Sequence, residues 1–283
     1  MLAFDFDYFK PATLKEAVNL YQAMDMNGKK PMFISGGTEL ITLGRINLAF
    51  TEAVIDLKDI AESKVMQFDG DFVVLGSTLS LTKIEEANRF PLLTETARGV
   101  ADHTSRGKIT LGGNICAQIF YRETVLPFLL AESQVVIAGP KGIKVVPIND
   151  IFQETLQLKN SEFLVQLVTN KRYIDAPFVS IKHRQQWDTG YPLITIAALK
   201  IGEEVRVALS GLCPFPFRSK KMEASLNNQE WPIEDRIDGA LAALPSPILN
   251  DVEGSSEYRL FVLRNLLHDV LERLMPQEFD TFY

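Results

Sequence analysis

The stretch FISGGTEL, Phe33 to Leu40, leads from an apolar strand-like segment into two adjacent glycines, then a threonine and an acid before Ile41 and Leu43. One glycine meets a turn's need for a positive φ. Two in a row, after an apolar run and before a candidate helix, point to a group that must approach the backbone closely. A second stretch, TLGGNICAQ from Thr110 to Gln118, has the same grammar. Exposed N–H groups in a glycine-rich turn can donate to phosphate oxygens with no Cβ in the way. Ser35-Gly36-Gly37-Thr38 adds two hydroxyls, and Gly112-Gly113-Asn114 adds an amide side chain, with Thr110 just before it. Two such loops could grip a diphosphate from both sides; the alternative is that each is a tight turn and nothing more. Neither GxGxxG after a strand nor GxxxxGK[ST] occurs, which disfavours a Rossmann domain and a P-loop.

Around these loops the chain reads as three segments, 1–60, 61–172 and 173–283. In the first, Thr13 and Glu16 have capping-box spacing ahead of the apolar stripe Leu14, Ala17, Val18 and Tyr21, so strand, helix and strand are expected. The second opens on two extended runs about Asp69-Gly70, a hairpin pair. Helices from Thr82 and Pro91 follow, then strands about Gly139 to Gly142, with NSEFLVQLVT as one more. The third carries a run of strands (FVSIKHRQ, LITIAALKI, EVRVALSGL) and then two helices, SKKMEASLN and SEYRLFVLRNLLHDVLERL. In the last of these, Tyr258, Phe261, Val262, Leu266 and Leu267 are read as the core-facing stripe. Strands first and helices afterwards make an antiparallel sheet with helices on one side, and the chain as a whole is α+β. No internal repeat or low-complexity linker is visible.

Composition excludes several functions. In 283 residues, Lys plus Arg number 29 against 36 Asp plus Glu, a formal net charge of -7. No basic field is present to release counterions from a nucleic acid. FRSKK, Phe217 to Lys221, reads as a solvated loop. No run is long enough to span a bilayer, and MLAFDFDYFK lacks the basic-then-apolar order of a secretory signal. Two cysteines, Cys116 and Cys213, with three scattered histidines, do not make a disulfide framework or a zinc cage. A cytoplasmic location is expected.

The order of segments resembles the flavoprotein subunit of molybdenum hydroxylases, the xanthine dehydrogenase and carbon monoxide dehydrogenase group. The matching pieces are FDYFKPATLKEAVNL, FISGGTEL, VVLGSTLSLTKIEE, KITLGGNICAQ, ETVLPFLLAESQVVIAG, KHRQQWDTGYPLITIAALKI, PFPFRSKKMEASL and EYRLFVL, in register over nearly the whole chain. The resemblance implies a p-cresol methylhydroxylase-type fold, with FAD held non-covalently between two N-terminal subdomains and a C-terminal domain closing over it. It implies that Met32, Phe33, Ile34, Ser35, Gly36, Gly37, Thr38 and Glu39 form the first pyrophosphate loop, and that Thr110, Gly113, Asn114 and Cys116 line the second. Glu123 falls where the family usually has an aspartate on the FAD side of a short helix, and the IFYR before it is bulkier than usual. Leu164 or Val165 falls where an aliphatic residue packs on the cofactor. In the segment Asp188 to Tyr191, Tyr191 is the candidate to cover the isoalloxazine ring, with ordinary strand-start packing as the other reading. Lys182 and Arg184 are read as solvated, with the phosphates of a nicotinamide dinucleotide as the other reading, and Cys116 as a small buried residue of the pocket wall, with a reactive thiol as the other reading.

The resemblance also implies a relay. A partner subunit with a molybdenum cofactor would oxidise the organic substrate, and a [2Fe-2S] partner subunit would pass electrons. This chain's FAD would hand them to NAD+ or another acceptor. Two cysteines are too few for a four-thiolate cluster of its own. A second reading is a degenerate assembly subunit without flavin, suggested by Glu123 and IFYR. A third, a self-standing flavin oxidase, lacks a catalytic base or a histidine in a glycine loop.

Overall fold

The computed structural model describes residues 4–184 and 190–276. The chain begins with β1 (Asp7–Phe9), α1 (Leu14–Met26), β2 (Pro31–Ile34), α2 (Thr38–Arg45) and β3 (Ala53–Asp56), whose strands form a parallel sheet in the order β1-β3-β2. Helical crossovers are what parallel neighbours require. At the start of α1, Thr13 accepts from the Glu16 amide at 3.2 Å, while the Glu16 carboxylate reaches back to the Ala12 amide at 2.9 Å. The return bond lands one residue before the cap itself.

At the end of β3 the Asp56 carboxylate is buried, accepting from Tyr8 Oη at 2.5 Å and pairing with Lys58 Nζ at 2.7 Å. Burial pushes this carboxyl up, but the bonds from Lys58 and Tyr8 outweigh it and hold it below the ordinary aspartate range. The same bond to Asp56 drives the Tyr8 hydroxyl up to about 12. A carboxyl lowered on folding stabilises above its unfolded value of about 3.9 and loses that contribution as pH falls through the folded value. Tyr8, raised on folding, contributes below about 10 and loses its contribution as pH rises through the folded value. Acid unfolding of Asp56→Asn, followed by circular dichroism, should therefore lack a component that the wild type shows below about pH 4; identical acid limbs would refute the assignment.

Next come β4 (Met66–Asp69) and β5 (Phe72–Gly76), a hairpin turning at Gly70 with φ +52, then α3 (Leu81–Ala87), α4 (Pro91–Arg98), α5 (His103–Arg106), α6 (Leu111–Ile115) and α7 (Leu126–Leu130). After β6 (Gln134–Gly139) and β7 (Gly142–Pro147), an excursion through α8 (Ile148–Ile151), β8 (Phe152–Gln153) and β9 (Thr155–Leu156) leads to β10 (Phe163–Asn170). β10 enters the middle of an antiparallel sheet ordered β4-β5-β10-β6-β7. Its pairing with β6 slips between Leu164 and Gln166, leaving Val165 as a bulge whose carbonyl accepts from the Ser77 amide at 2.9 Å. The first sheet is fastened here: Ala17, Val18, Ile55 and Ile60 share a core with Ala138, Phe163 and Val165.

The remainder forms a second antiparallel sheet, β11 (Phe178–His183), β12 (Ile194–Ile201), β13 (Glu204–Ser210) and β14 (Phe217–Arg218), followed by α9 (Lys220–Leu226), α10 (Ile233–Ala242) and α11 (Ser256–Leu274). The largely apolar run LITIAALKI, broken only by Thr195 and Lys200, is explained by burial on both faces. Ile194, Ile196 and Ala198 face the helices, whereas Ala197 and Leu199 pack into the core of the preceding sheet and helices. Alternation along a strand divides these residues between two cores. Two expectations are corrected. A third helix, α10, lies between the two foreseen. On α11, Tyr258 and Phe261 are exposed, and the buried stripe is Val262, Leu263, Leu266, Leu267, Val270, Leu271 and Leu274, with a fully buried Arg259. Arg259 displaces the aromatics because its guanidinium donates to the carbonyls of Leu193 and Gly211 and pairs with Asp251 at 2.5 Å. No helix among the described residues is long and apolar enough to cross a membrane.

Candidate functional site: a cavity between two glycine turns

β2 delivers Phe33 and Ile34 to the turn Ser35-Gly36-Gly37, and α2 starts immediately afterwards. Gly37 is the N-cap with φ +70, and having no side chain it leaves the helix start uncapped. The amides of Gly36, Gly37 and Thr38 make no hydrogen bond to the described protein. They lie at the positive end of the helix dipole, where anions are favoured. Gly36 is required for a different reason, since a Cβ there would lie 2.0 Å from the Lys108 carbonyl oxygen. The close approach that the double glycine foretold is, at this position, the approach of the second glycine segment itself.

That second segment is a helix start rather than an open loop. Thr110 caps α6 by accepting from the Gly113 amide at 3.2 Å, the Gly112 amide donates to the Ser77 carbonyl at 2.7 Å, and the Asn114 amide donates to the Thr110 carbonyl at 2.8 Å. The amides of Gly112, Gly113 and Asn114 are therefore already engaged within the protein, so the expectation of free backbone donors in both turns is corrected for the second. Gly112 exists for Ser77, because a Cβ on it would come within 2.6 Å of the Ser77 Cβ. Asn114 is turned inward, accepting from Thr124 Oγ1 at 2.6 Å.

Between the two turns lies a cavity of about 500 Å³, within the range of small-molecule sites. Met32, Phe33, Ile34 and Ser35 form one wall, Ser77, Gly112, Gly113 and Cys116 another, and Leu158 to Leu164 with Tyr21 and Leu57 the remainder. Tyr21 stacks on Phe33 with ring centroids 4.7 Å apart, and its hydroxyl donates to Asn160 at 2.8 Å. Two side-chain oxygens on this lining, Ser35 Oγ and Ser77 Oγ, are buried with no partner. A buried hydroxyl without a partner is rare and costly in a finished structure. Cys116 is on the wall as expected but is exposed to the cavity rather than buried. The protein around the cavity pushes its thiol up.

Other expected site residues are differently employed. Glu39 lies one residue into α2, and its carboxylate accepts from the amides of Gln118, at 2.9 and 3.0 Å, and Ile119, at 3.0 Å. It ties the two glycine segments together and offers nothing to an anion. Glu123, at the start of a 3-10 turn, is buried and pairs with Lys182 Nζ at 2.5 Å while accepting from Thr195 Oγ1 at 3.2 Å. Burial pushes its carboxyl up, with Lys182 opposing. Lys182 is thus not solvated as read from the sequence; with Arg184 it also donates to the Gly99 carbonyl, at 2.6 and 2.8 Å. Of the two aliphatic candidates, Leu164 lines the cavity and Val165 is the bulged core residue. Tyr191 stacks on Tyr121, centroids 4.7 Å apart and 10° from parallel; Asp188, from the same segment, lies outside the described residues. Sequence reasoning missed Ser77, Tyr21 and the segment Leu158 to Phe163. For Ser77 the only signal was the GST that ends the run VVLGST, with a glycine at the strand end.

An α+β chain with a cavity between two glycine turns, lined by unpartnered hydroxyls, has the form of a cofactor-binding protein. Residues 4–168 match the family described as "FAD binding domain in molybdopterin dehydrogenase", and residues 190–274 match "CO dehydrogenase flavoprotein C-terminal domain". The chain belongs to this FAD-binding family of molybdopterin dehydrogenases, as an FAD-dependent oxidoreductase subunit. It is 26% identical to the xanthine dehydrogenase FAD-binding subunit of Escherichia coli O157:H7, over 95% of this chain and 96% of that one. It is 24% identical to the carbon monoxide dehydrogenase medium chain of Hydrogenophaga pseudoflava, over 90% and 91%. A solved carbon monoxide dehydrogenase chain from Hydrogenophaga pseudoflava superposes with a TM-score of 0.85 at 23% identity, covering 97% of this chain and 98% of that one. Quinoline 2-oxidoreductase from Pseudomonas putida 86 gives 0.79 at 19%, with coverage of 97% and 98%. The cavity fits the family's cofactor: two unpartnered hydroxyls line it, and the unbonded amides at the start of α2 directly follow one of them, donors of the kind a diphosphate requires.

Proposed function

We propose that this chain is the flavin-carrying electron-transfer subunit of a multi-subunit molybdenum hydroxylase. Electrons arrive from a [2Fe-2S] partner subunit, fed by a molybdenum-cofactor subunit, and leave for NAD+ or another acceptor. The observation that carries this reading is the cavity between the glycine turns, with the unpartnered hydroxyls of Ser35 and Ser77 on its lining and the unbonded amides of Gly36 to Thr38 following Ser35 in the chain. When bound, FAD supplies the electron chemistry, accepting and releasing electrons singly or in pairs. The chain's own residues hold the dinucleotide. The start of α2 and Ser35 face its diphosphate, Met32 to Ile34 and Leu164 give apolar walls, and Tyr21 and Phe33 pack beside the cavity floor. The residues fall into three lobes, 1–60, 61–172 and 173–283, with the third lobe joined to the second through Glu123–Lys182. A cytoplasmic setting suits the two free cysteines.

The features that favoured a flavin-free assembly subunit do not obstruct this cavity. Glu123 is engaged with Lys182, Arg122 is buried over the Phe152 ring, and Tyr121 stacks on Tyr191. None of them is among the cavity-lining residues.

The purified protein should show flavin absorption near one FAD per chain. Cys116→Phe, which fills the cavity from an exposed position, should keep its circular dichroism and thermal midpoint while losing the flavin bands. A folded wild-type chain that stays colourless with added FAD would overturn the proposal.

A further inference from the structure

We infer that Ser77, together with Ser35, is a direct donor to the diphosphate of the bound dinucleotide, replacing the amides that the second glycine segment keeps for itself. The inference rests on the FAD reading above.

Three observations converge. Gly112 and Gly113 donate inward, to Ser77 O and Thr110 Oγ1, so this side of the cavity offers no backbone donor from them. The Ser77 backbone is held from two directions, its carbonyl by the Gly112 amide at 2.7 Å and its amide by the bulged Val165 carbonyl at 2.9 Å. Its hydroxyl is nevertheless free: Ser77 is 4% exposed, lines the cavity, and its Oγ has no hydrogen-bond partner. A side chain fixed this firmly and left unpaired on a cavity wall is prepared for a ligand oxygen. Ser35 Oγ, on the same cavity lining, is in the same condition, and the unbonded amides of Gly36 to Thr38 follow it in the chain. The absence of a side chain at Gly112 is what allows Ser77 to sit there, since a Cβ would press on the Ser77 Cβ and carbonyl.

The test compares wild type with Ser77→Ala, which keeps the Cβ and removes the hydroxyl. Flavin-free protein is titrated calorimetrically with FAD and, in competition with FAD, with ADP, which carries the diphosphate without the flavin. Thermal unfolding of each flavin-free form is recorded in parallel. A hydroxyl donating to a charged oxygen corresponds to about a 10- to 100-fold loss of affinity. That loss is expected for FAD and for ADP alike, and the flavin-free midpoint should be no lower than that of wild type, because the hydroxyl removed had no partner there. Unchanged FAD affinity would overturn the inference, as would a lower flavin-free midpoint, which would mark an internal structural bond. A loss for FAD but not ADP would move the contact off the diphosphate and equally overturn it. Wild type failing to bind FAD at all is a different result, and it would bring down the proposed function instead.

Discussion

Gly36→Ala is expected to destabilise the chain by about 3 kcal/mol or more and to abolish FAD binding, whereas Gly37→Ala should cost about 1 kcal/mol. The neighbouring glycines differ in what a methyl group would meet. At Gly36 the new carbon would be 2.0 Å from the Lys108 carbonyl oxygen and 3.4 Å from the Thr110 amide nitrogen. Both are backbone, so relief requires parting the turn after β2 from the segment leading into α6. That seam also carries the bonds from the Gln118 and Ile119 amides to Glu39, so the damage spreads along one side of the cavity. At Gly37 the nearest atom is Ile41 Cδ1 at 4.0 Å, and the penalty is only that of a left-handed backbone, φ +70, for a residue with a Cβ. Urea unfolding of both variants, with an FAD titration of each, separates the two. Equal stabilities would mean that the seam between the glycine segments is not what requires the first glycine.

The second large effect is expected at the buried pair Glu123–Lys182, whose side chains are 3% and 13% exposed. Removing one partner of such a pair leaves an uncompensated charge in the interior, and Glu123→Gln should cost about 3–5 kcal/mol. The double variant Glu123→Leu, Lys182→Met should recover most of this, since apolar replacements of both partners avoid the desolvation of two ions. The pH dependence is a further check. Burial holds the Lys182 ammonium below the ordinary lysine value, with Glu123 as its chief support. In Glu123→Gln that support is gone, so the folded value falls further. A folded value below the unfolded one means that the unfolded state binds more protons, and stability rises with pH. The single variant should therefore regain stability relative to wild type as pH rises from neutrality towards about 10. A flat difference across that range would show that Lys182 is not charged and buried as the geometry describes.

Much of this was legible in the residues themselves. The cap at Thr13, the Asp69-Gly70 hairpin, Pro91 at a helix start and the two double glycines are local signals, each set by the conformational limits of a few adjacent residues. The order of eight short segments over nearly the whole chain carried the resemblance to the flavoprotein subunits. A strand was also legible in LITIAALKI, although a largely apolar run does not reveal that two different cores receive its two faces.

What the sequence by itself determined, then, was where the backbone turns tightly, which helices and strands begin there, and which family of chains shares that order. What only the tertiary structure decided was the partner of each polar group. Gly36 meets Lys108, Gly112 meets Ser77, Glu39 reaches amides 79 residues away, and Lys182 finds Glu123 rather than water. The exposed positions of Tyr258 and Phe261 on α11 follow in the same way from Arg259, whose burial depends on the carbonyls of Leu193, just before β12, and Gly211, just after β13. The physical reason is common to all of these. Backbone conformation is limited by sterics within a residue or two, whereas a hydrogen bond or an ion pair is limited by distance in space, and chain topology alone brings residues so far apart in sequence within 3 Å of one another.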